Sequence, residues 1–280
     1  MSDLVTDSPS AAAEAKDEAS SWHGNFIWYE LMTSDQDAAI DFYKTVVGWD
    51  AADQTMADLG DFRYTLLSTG GRDVAGLMQL NDEMKAAGAS PGWLGVIGVA
   101  DTDEAAKAIE AAGGAILRAP DDIPNVGRFA IVADPGGAAF ELLTPIPPEK
   151  EPAPLAPETP GTIGWHELYA GNGETAAFAF YSGQFGWKSD TEMDMGPMGK
   201  YRIFSKDGVQ LGGMMDKPAD MPVSAWGFYI IVDGLDAAVE RLKAIGGTVT
   251  IEPHEVPGGS WIVQATDPQG ANFALLSLKR

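Results

Sequence analysis

The second half of this 280-residue chain repeats the first landmark by landmark, and any fold it adopts must accommodate that repeat. Gly24-Asn25-Phe26-Ile27-Trp28-Tyr29-Glu30-Leu31 recurs as Gly161-Thr162-Ile163-Gly164-Trp165-His166-Glu167-Leu168, and Phe42-Tyr43 with Gly48-Trp49 recurs as Phe180-Tyr181 with Gly186-Trp187. Further on, Tyr64 matches Tyr201, Gly76 matches Gly213, Trp93 matches Trp226, Gly113-Gly114 matches Gly246-Gly247, and Asp134-Pro135 matches Asp267-Pro268. One order and nearly constant spacing identify a tandem duplication. It divides the chain into a tail at 1–22 expected to be disordered, a domain at 23–145, a Pro- and Glu-rich linker at 146–160, and a second domain at 161–280. A linker of that composition keeps two domains apart or lets one wrap around the other.

Each copy reads internally as a doubled α+β unit. Phe26 to Met32 alternates like a strand. Asp35 then opens a segment whose apolar positions Ala38, Ala39, Phe42, Tyr43, Val46 and Val47 recur every three or four residues, a helical stripe ending at Gly48. Strands are predicted at 62–68 and 74–80, followed by a polar loop at 81–92. The pattern then restarts with a strand at 93–99, a helix at 103–112 and strands near 115–117, 128–132 and 139–144. Asp134-Pro135-Gly136-Gly137 and its counterpart Asp267-Pro268-Gln269-Gly270 are turn chemistry before a last strand. Each domain is therefore expected to hold two βαβββ units.

These motifs, in this order and twice over, resemble the vicinal oxygen chelate superfamily, which includes glyoxalase I, bleomycin resistance proteins and extradiol dioxygenases. The resemblance carries through Trp28-x-Glu30-Leu31, Phe42-Tyr43 before Gly48-Trp49, Gly113-Gly114, and Asp134-Pro135-x-Gly137-x-x-Phe140-Glu141-Leu142. It implies two tandem glyoxalase/bleomycin-resistance-type domains, each folding its paired units into a cup-shaped mixed sheet around a small-molecule site. It also implies one divalent metal, Fe, Mn, Ni, Co or Zn, held by His, Glu or Gln from the first and last strands of paired units. Counted onto this chain, those positions are Trp28, Gly76, Leu94 and Glu141 in the first copy and Trp165, Gly213, Gly227 and Ala274 in the second. Only Glu141 can ligate, too few donors for such a metal. No metal cofactor is therefore expected. The alternative is a divalent site that pairs Glu141 with His166, which requires His166 rather than Trp165 to face the cup; otherwise His166 is a partly exposed strand histidine aligned with Tyr29.

With metal ligands largely gone, the residues left to bind a ligand are Trp28, Glu30 and Tyr64 in one copy and Trp165, Glu167 and Tyr201 in the other, with Glu141 as a candidate general base. Charge narrows the partners. The chain carries 18 Lys+Arg against 41 Asp+Glu, a net charge of -23, which disfavours nucleic acid and suits a cationic small molecule. No apolar stretch approaches the roughly 20 residues of a membrane span. Cysteine is absent, so there is no disulfide or thiolate chemistry, and the first 21 residues lack a secretory signal's apolar core. A cytoplasmic protein is expected. Its expected function is to bind a small organic ligand in a cup; the alternatives are a divergent metal-dependent lyase, isomerase or dioxygenase, and a non-catalytic structural protein with filled cups. Four units in one chain are expected to pair internally as a monomer with a pseudo-twofold axis, or to form a homodimer.

Overall fold

The computed structural model describes residues 22–55, 63–86, 88–147 and 155–280. Apart from Trp22, the tail at 1–22 lies outside the described residues, as does the middle of the linker. In the first domain the elements run β1 (Phe26–Thr33), α1 (Gln36–Val46), β2 (Asp50–Thr55), β3 (Arg63–Thr69), β4 (Arg72–Gln79), a short α2 (Asp82–Ala86), β5 (Gly92–Gly98), α3 (Thr102–Ala111), β6 (Ala115–Ile123), β7 (Gly127–Ala133) and β8 (Ala139–Pro145). The second domain runs β9 (Ile163–Ala170), α4 (Glu174–Phe185), β10 (Lys188–Asp194), β11 (Lys200–Lys206), β12 (Val209–Asp216), β13 (Ala225–Ile231), α5 (Leu235–Ala244), β14 (Thr248–Glu255), β15 (Trp261–Thr266) and β16 (Asn272–Ser277). Among the described residues no helix is long and apolar enough to cross a membrane.

Each domain is one eight-stranded mixed sheet, in the orders β2-β3-β4-β1-β5-β8-β7-β6 and β10-β11-β12-β9-β13-β16-β15-β14. The two units of a domain join through their first strands, since β1 pairs antiparallel with β5 and β9 with β13. Within each unit the first strand runs parallel to the last, β1 beside β4 and β5 beside β8. In the first domain α1 and α3 start where side chains satisfy orphan amides: Asp35 accepts from the Ala38 N–H at 3.1 Å and Asp101 from the Glu104 N–H at 3.0 Å. Strands β2 and β10, which complete the βαβββ count, carry the sequences DAADQT and KSDTEMD with no alternating run of large apolar residues; pairing with β3 and β11 holds them at the sheet edges. The loop expected at 81–92 contains the α2 turn, and β6 runs past its expected end to include Pro120, which an edge strand tolerates.

The two domains are not held apart. Both contribute to one continuous apolar core, with the backs of β5 and β13 in contact and the helices α1 and α5 packed against each other. The joint is reciprocal. Tyr43 donates to Asp267 at 3.2 Å and Tyr181 to Asp134 at 3.1 Å, while the indoles of Trp93 and Trp226 donate to those same tyrosine oxygens at 2.9 Å. Trp49 donates to the Gly161 carbonyl and Trp187 to the Gly24 carbonyl, both at 2.7 Å. Both glycines have positive φ, and a Cβ on Gly161 would fall 2.9 Å from the Trp49 indole nitrogen. Several landmarks of the repeat are thus residues that lock one copy to the other. Each aspartate also caps its own turn, Asp134 accepting from Gly136 and Ala138 and Asp267 from Gln269 and Ala271. Cross-domain stapling and turn formation therefore use the same two side chains.

Candidate functional site: two unequal cups

Strand alternation sorts β1 and β9 into two faces. Trp28 and Glu30 point into the cup of the first sheet, Trp165 and Glu167 into that of the second, and the residues between them point back into the shared core. His166 is one of the latter, and two earlier expectations for it are corrected. It is 6% exposed rather than partly exposed, and it lies away from Glu141, in the joint between the domains. Its Nδ1 donates to the Leu211 carbonyl and its Nε2 accepts from the Tyr29 hydroxyl at 2.6 Å, while Phe26 stacks on the ring at a centroid distance of 4.0 Å. Burial pushes this imidazole down to about 4, so it is held neutral. The sequence-based pairing of His166 with Glu141 around a metal is therefore not the geometry of this chain.

In the first cup, register places Glu30, rather than Trp28, beside both Gly76 and Leu94. Gly76 matters through its missing side chain: a Cβ there would lie 1.7 Å from the Tyr64 hydroxyl. The phenol occupies that space and donates to Glu30 Oε1 at 2.6 Å, and Trp28 Nε1 shares its proton between the same oxygen and the Tyr64 hydroxyl, both at 3.0 Å. Glu30 Oε2 is buried with no hydrogen-bond partner among the described residues. Glu141 enters from β8, in register with Val96, which is itself in register with Trp28. It is 8% exposed, as is Glu30, and no described side chain or backbone group hydrogen bonds or ion pairs with its carboxyl. The wall around the two acids is apolar, with Val96, Phe129 and Leu143 buried and Ile131 packed against them.

This environment decides the protonation states. Burial lifts Glu30 to about 7 against the opposing pull of its Tyr64 and Trp28 donors. Glu141 is raised well above the usual carboxylate range by burial and then by the charge of Glu30, with Arg118 opposing. The Arg118 guanidinium lies 4.6 Å from the centroid of the Phe129 ring and pairs with Asp121. At neutral pH the first cup therefore keeps at least one carboxyl protonated, because apolar surroundings penalise two adjacent charges.

The second cup holds its carboxylate differently. Tyr201 donates to Glu167 Oε1 at 2.9 Å and receives the Trp165 indole N–H at 2.8 Å, repeating the first cup, and Gly213 makes the same room for the phenol. Tyr169 and Tyr229 then donate to Glu167 Oε2, the second at 2.7 Å, and Gln264 Nε2 donates to those two hydroxyls at 2.7 and 2.9 Å. Both oxygens are satisfied by phenols and the ring of donors is closed. Tyr64 and Tyr201, expected as donors to a ligand, already donate to the carboxylates of their own cups.

Tyr169, Tyr229, Gln264 and Ala274 of the second copy stand where the first has Met32, Val96, Ile131 and Glu141. The sequence reading missed the first three. Their signal was present, however, as positions on the cup faces where the two copies disagree in polarity while the joint residues agree. The same comparison tests the metal site. Besides the unmatched Gly76 and Leu94, the first cup offers two carboxyls with raised proton affinity, and the second offers one carboxylate already saturated by phenols. Among the described residues no three His, Cys, Asp or Glu side chains converge as metal ligands do. These donor sets do not fit the family's metal.

A recess lined by Ile27, Trp28, Arg72, Leu155 and Ile163 lies at the domain junction rather than in a cup.

Comparison with known proteins agrees with the architecture. The chain is 31% identical over 249 residues to "Putative glyoxylase CFP32" of Mycobacterium tuberculosis, covering 89% of this chain and 93% of that protein. It is 30% identical over 266 residues to the anthracycline biosynthesis protein DnrV of Streptomyces peucetius, covering 90% and 92%. In fold it is similar to the Mn(II)-bound glyoxalase of Novosphingobium aromaticivorans, with a TM-score of 0.61 at 16% identity over 90% of this chain and 81% of that one. The family model for the Glyoxalase/Bleomycin resistance protein/Dioxygenase superfamily matches residues 25–142 and again 163–275, one match per sheet, and the chain is a tandem, two-domain member of that superfamily.

Proposed function

We propose that this protein binds a small organic molecule in the cup of its first domain, through the acid pair Glu30 and Glu141 and the indole of Trp28, and that the second cup is a closed copy that supports the fold. The observation that carries this reading is the unequal satisfaction of two otherwise matched sites. Glu167 has a donor for each oxygen, whereas Glu30 has a bare oxygen and Glu141 has no partner at all among the described residues. A buried oxygen without a partner, as Glu30 Oε2 is, costs about 1–3 kcal/mol, so a ligand that pairs with it recovers that free energy on binding.

Any chemistry at this site would be proton transfer by the two carboxyls. Glu30, near 7, is suited to exchange a proton at neutral pH. A screen of small organic compounds by thermal shift tests the proposal, since a ligand that binds only the folded state raises the midpoint. Hits whose shift vanishes in Glu141→Gln and persists in Tyr229→Phe support the first cup as the site. Hits that depend on Tyr229, or that ignore both substitutions, overturn it.

A further inference from the structure

The chemistry of the first cup also points to a class of ligand, an inference that rests on the binding reading above. Two carboxyls, each more than nine-tenths buried, share one apolar cup. Arg118 pairs with Asp121 and lies over Phe129; its charge acts on Glu141, but it ion-pairs with neither acid. The titratable and charged groups around the pair are Tyr64 on β3 and Arg118 on β6; β4, β5 and β7 present Gly76, Leu94, Val96, Phe129 and Ile131. A neutral carbonyl ligand would take one hydrogen bond from a protonated carboxyl and leave the remaining acid oxygens bare. An ammonium or amidinium brings at least two N–H donors and a positive charge, enough to pair with both carboxyls once they ionise. The aromatic ring of Trp28 adds the kind of surface that such cations prefer.

We propose that the first cup takes an organic cation, an ammonium or amidinium on a compact apolar body, bound by Glu30 and Glu141 as a pair of carboxylates. Without a ligand the pair holds at least one proton near neutral pH and two on the acid side of it; pairing both carboxylates with the cation displaces them, so binding releases protons to solvent. Proton and ligand compete for one site. Affinity should therefore rise by more than about tenfold per pH unit on the acid side of neutrality, towards about a hundredfold where both acids are protonated, and less steeply above it.

Isothermal titration with benzylamine and benzamidine, and with their neutral counterparts benzyl alcohol and benzamide, tests this at pH 5, 6, 7 and 8. At pH 6.5 the titrations are run in phosphate and in HEPES, whose different ionisation heats report protons released. The expected result is binding of the two cations alone, release of at least one proton, and loss of at least tenfold in affinity in both Glu30→Gln and Glu141→Gln. Neutral counterparts that bind equally well in a Glu141-dependent way would overturn the cation inference and leave the first-cup reading standing. Cations that bind with no proton release or no dependence on Glu141 also overturn it. If none of the four binds at millimolar concentration the inference fails, and the wider thermal-shift screen separately decides whether the cup binds anything.

Discussion

Substituting Glu30 by glutamine should stabilise the protein, and only at neutral to alkaline pH. The sign follows from proton binding. A carboxyl raised by folding from 4.5 to about 7 keeps its proton in the folded state where the unfolded chain has already released it. Its contribution to stability is therefore fully present below 4.5 and is lost as pH rises to about 7. A shift of that size, at about 1.4 kcal/mol per pH unit, amounts to about 3 kcal/mol. In Glu30→Gln the side chain would keep the acceptor for Tyr64 and Trp28, place an amide where Oε2 now stands, and never ionise. The substitution also removes the charge that raises Glu141. Urea unfolding of both proteins at pH 5, 6, 7 and 8, at fixed ionic strength, measures the difference. The two should be nearly equal at pH 5, with the variant ahead by about 3 kcal/mol at pH 8. A gap that is constant across pH, or a variant that loses ground as pH rises, would refute the assignment of a buried, proton-holding Glu30.

Three further outcomes follow from the same geometry. Tyr43→Phe removes the hydroxyl that joins Trp93 to Asp267, and should cost about 2–4 kcal/mol in urea unfolding while both domains still unfold in one transition; two separated transitions would contradict the interlocked joint. Gly76→Ala drives a Cβ into the Tyr64 phenol and should destabilise the protein, whereas Gly183→Ala, in a helix with nothing within 4 Å of the new methyl, should stabilise it by up to about 1 kcal/mol on the same assay. His166 should remain neutral, with its proton on Nδ1, at pH 5.5 in an NMR titration. The linked stability, intact above 6.5, should fall by about 3 kcal/mol as pH drops towards 4, and an imidazole that protonates near 6.5 would contradict its burial.

The repeat made the architecture legible because its landmarks are joint residues. Tyr43, Trp49, Trp93 and Asp134, with their counterparts, must keep their identity to bond across a pseudo-twofold axis. Strand alternation likewise separated Glu30 from Tyr29 and Glu167 from His166 before any coordinates. Edge strands β2 and β10 escaped the pattern because they bury little, so no hydrophobic period marks them. The cups were only half legible. Counting from motifs set Trp28 in one row with Gly76, Leu94 and Glu141; the register keeps Trp28 with Glu141 through Val96 but sets Glu30 beside Gly76 and Leu94, and register between distant strands is not written in local sequence. Burial of His166 was equally hidden, since its partners Tyr29 and Phe26 reach it only after the domains dock. The closed ring around Glu167 depends on four side chains drawn from β9, β11, β13 and β15, a convergence that only the curled sheet creates.

The central claim is that two copies of one fold have diverged into an open acid pair and a saturated carboxylate. A crystal structure of the protein with its strongest thermal-shift ligand tests that most directly. The account requires the ligand in the first cup, with a donor within hydrogen-bond distance of both Glu30 and Glu141, and the Glu167 ring of phenols unchanged. A ligand seated against Glu167 with the tyrosines displaced, or in the recess at the domain junction with both cups closed, would contradict it.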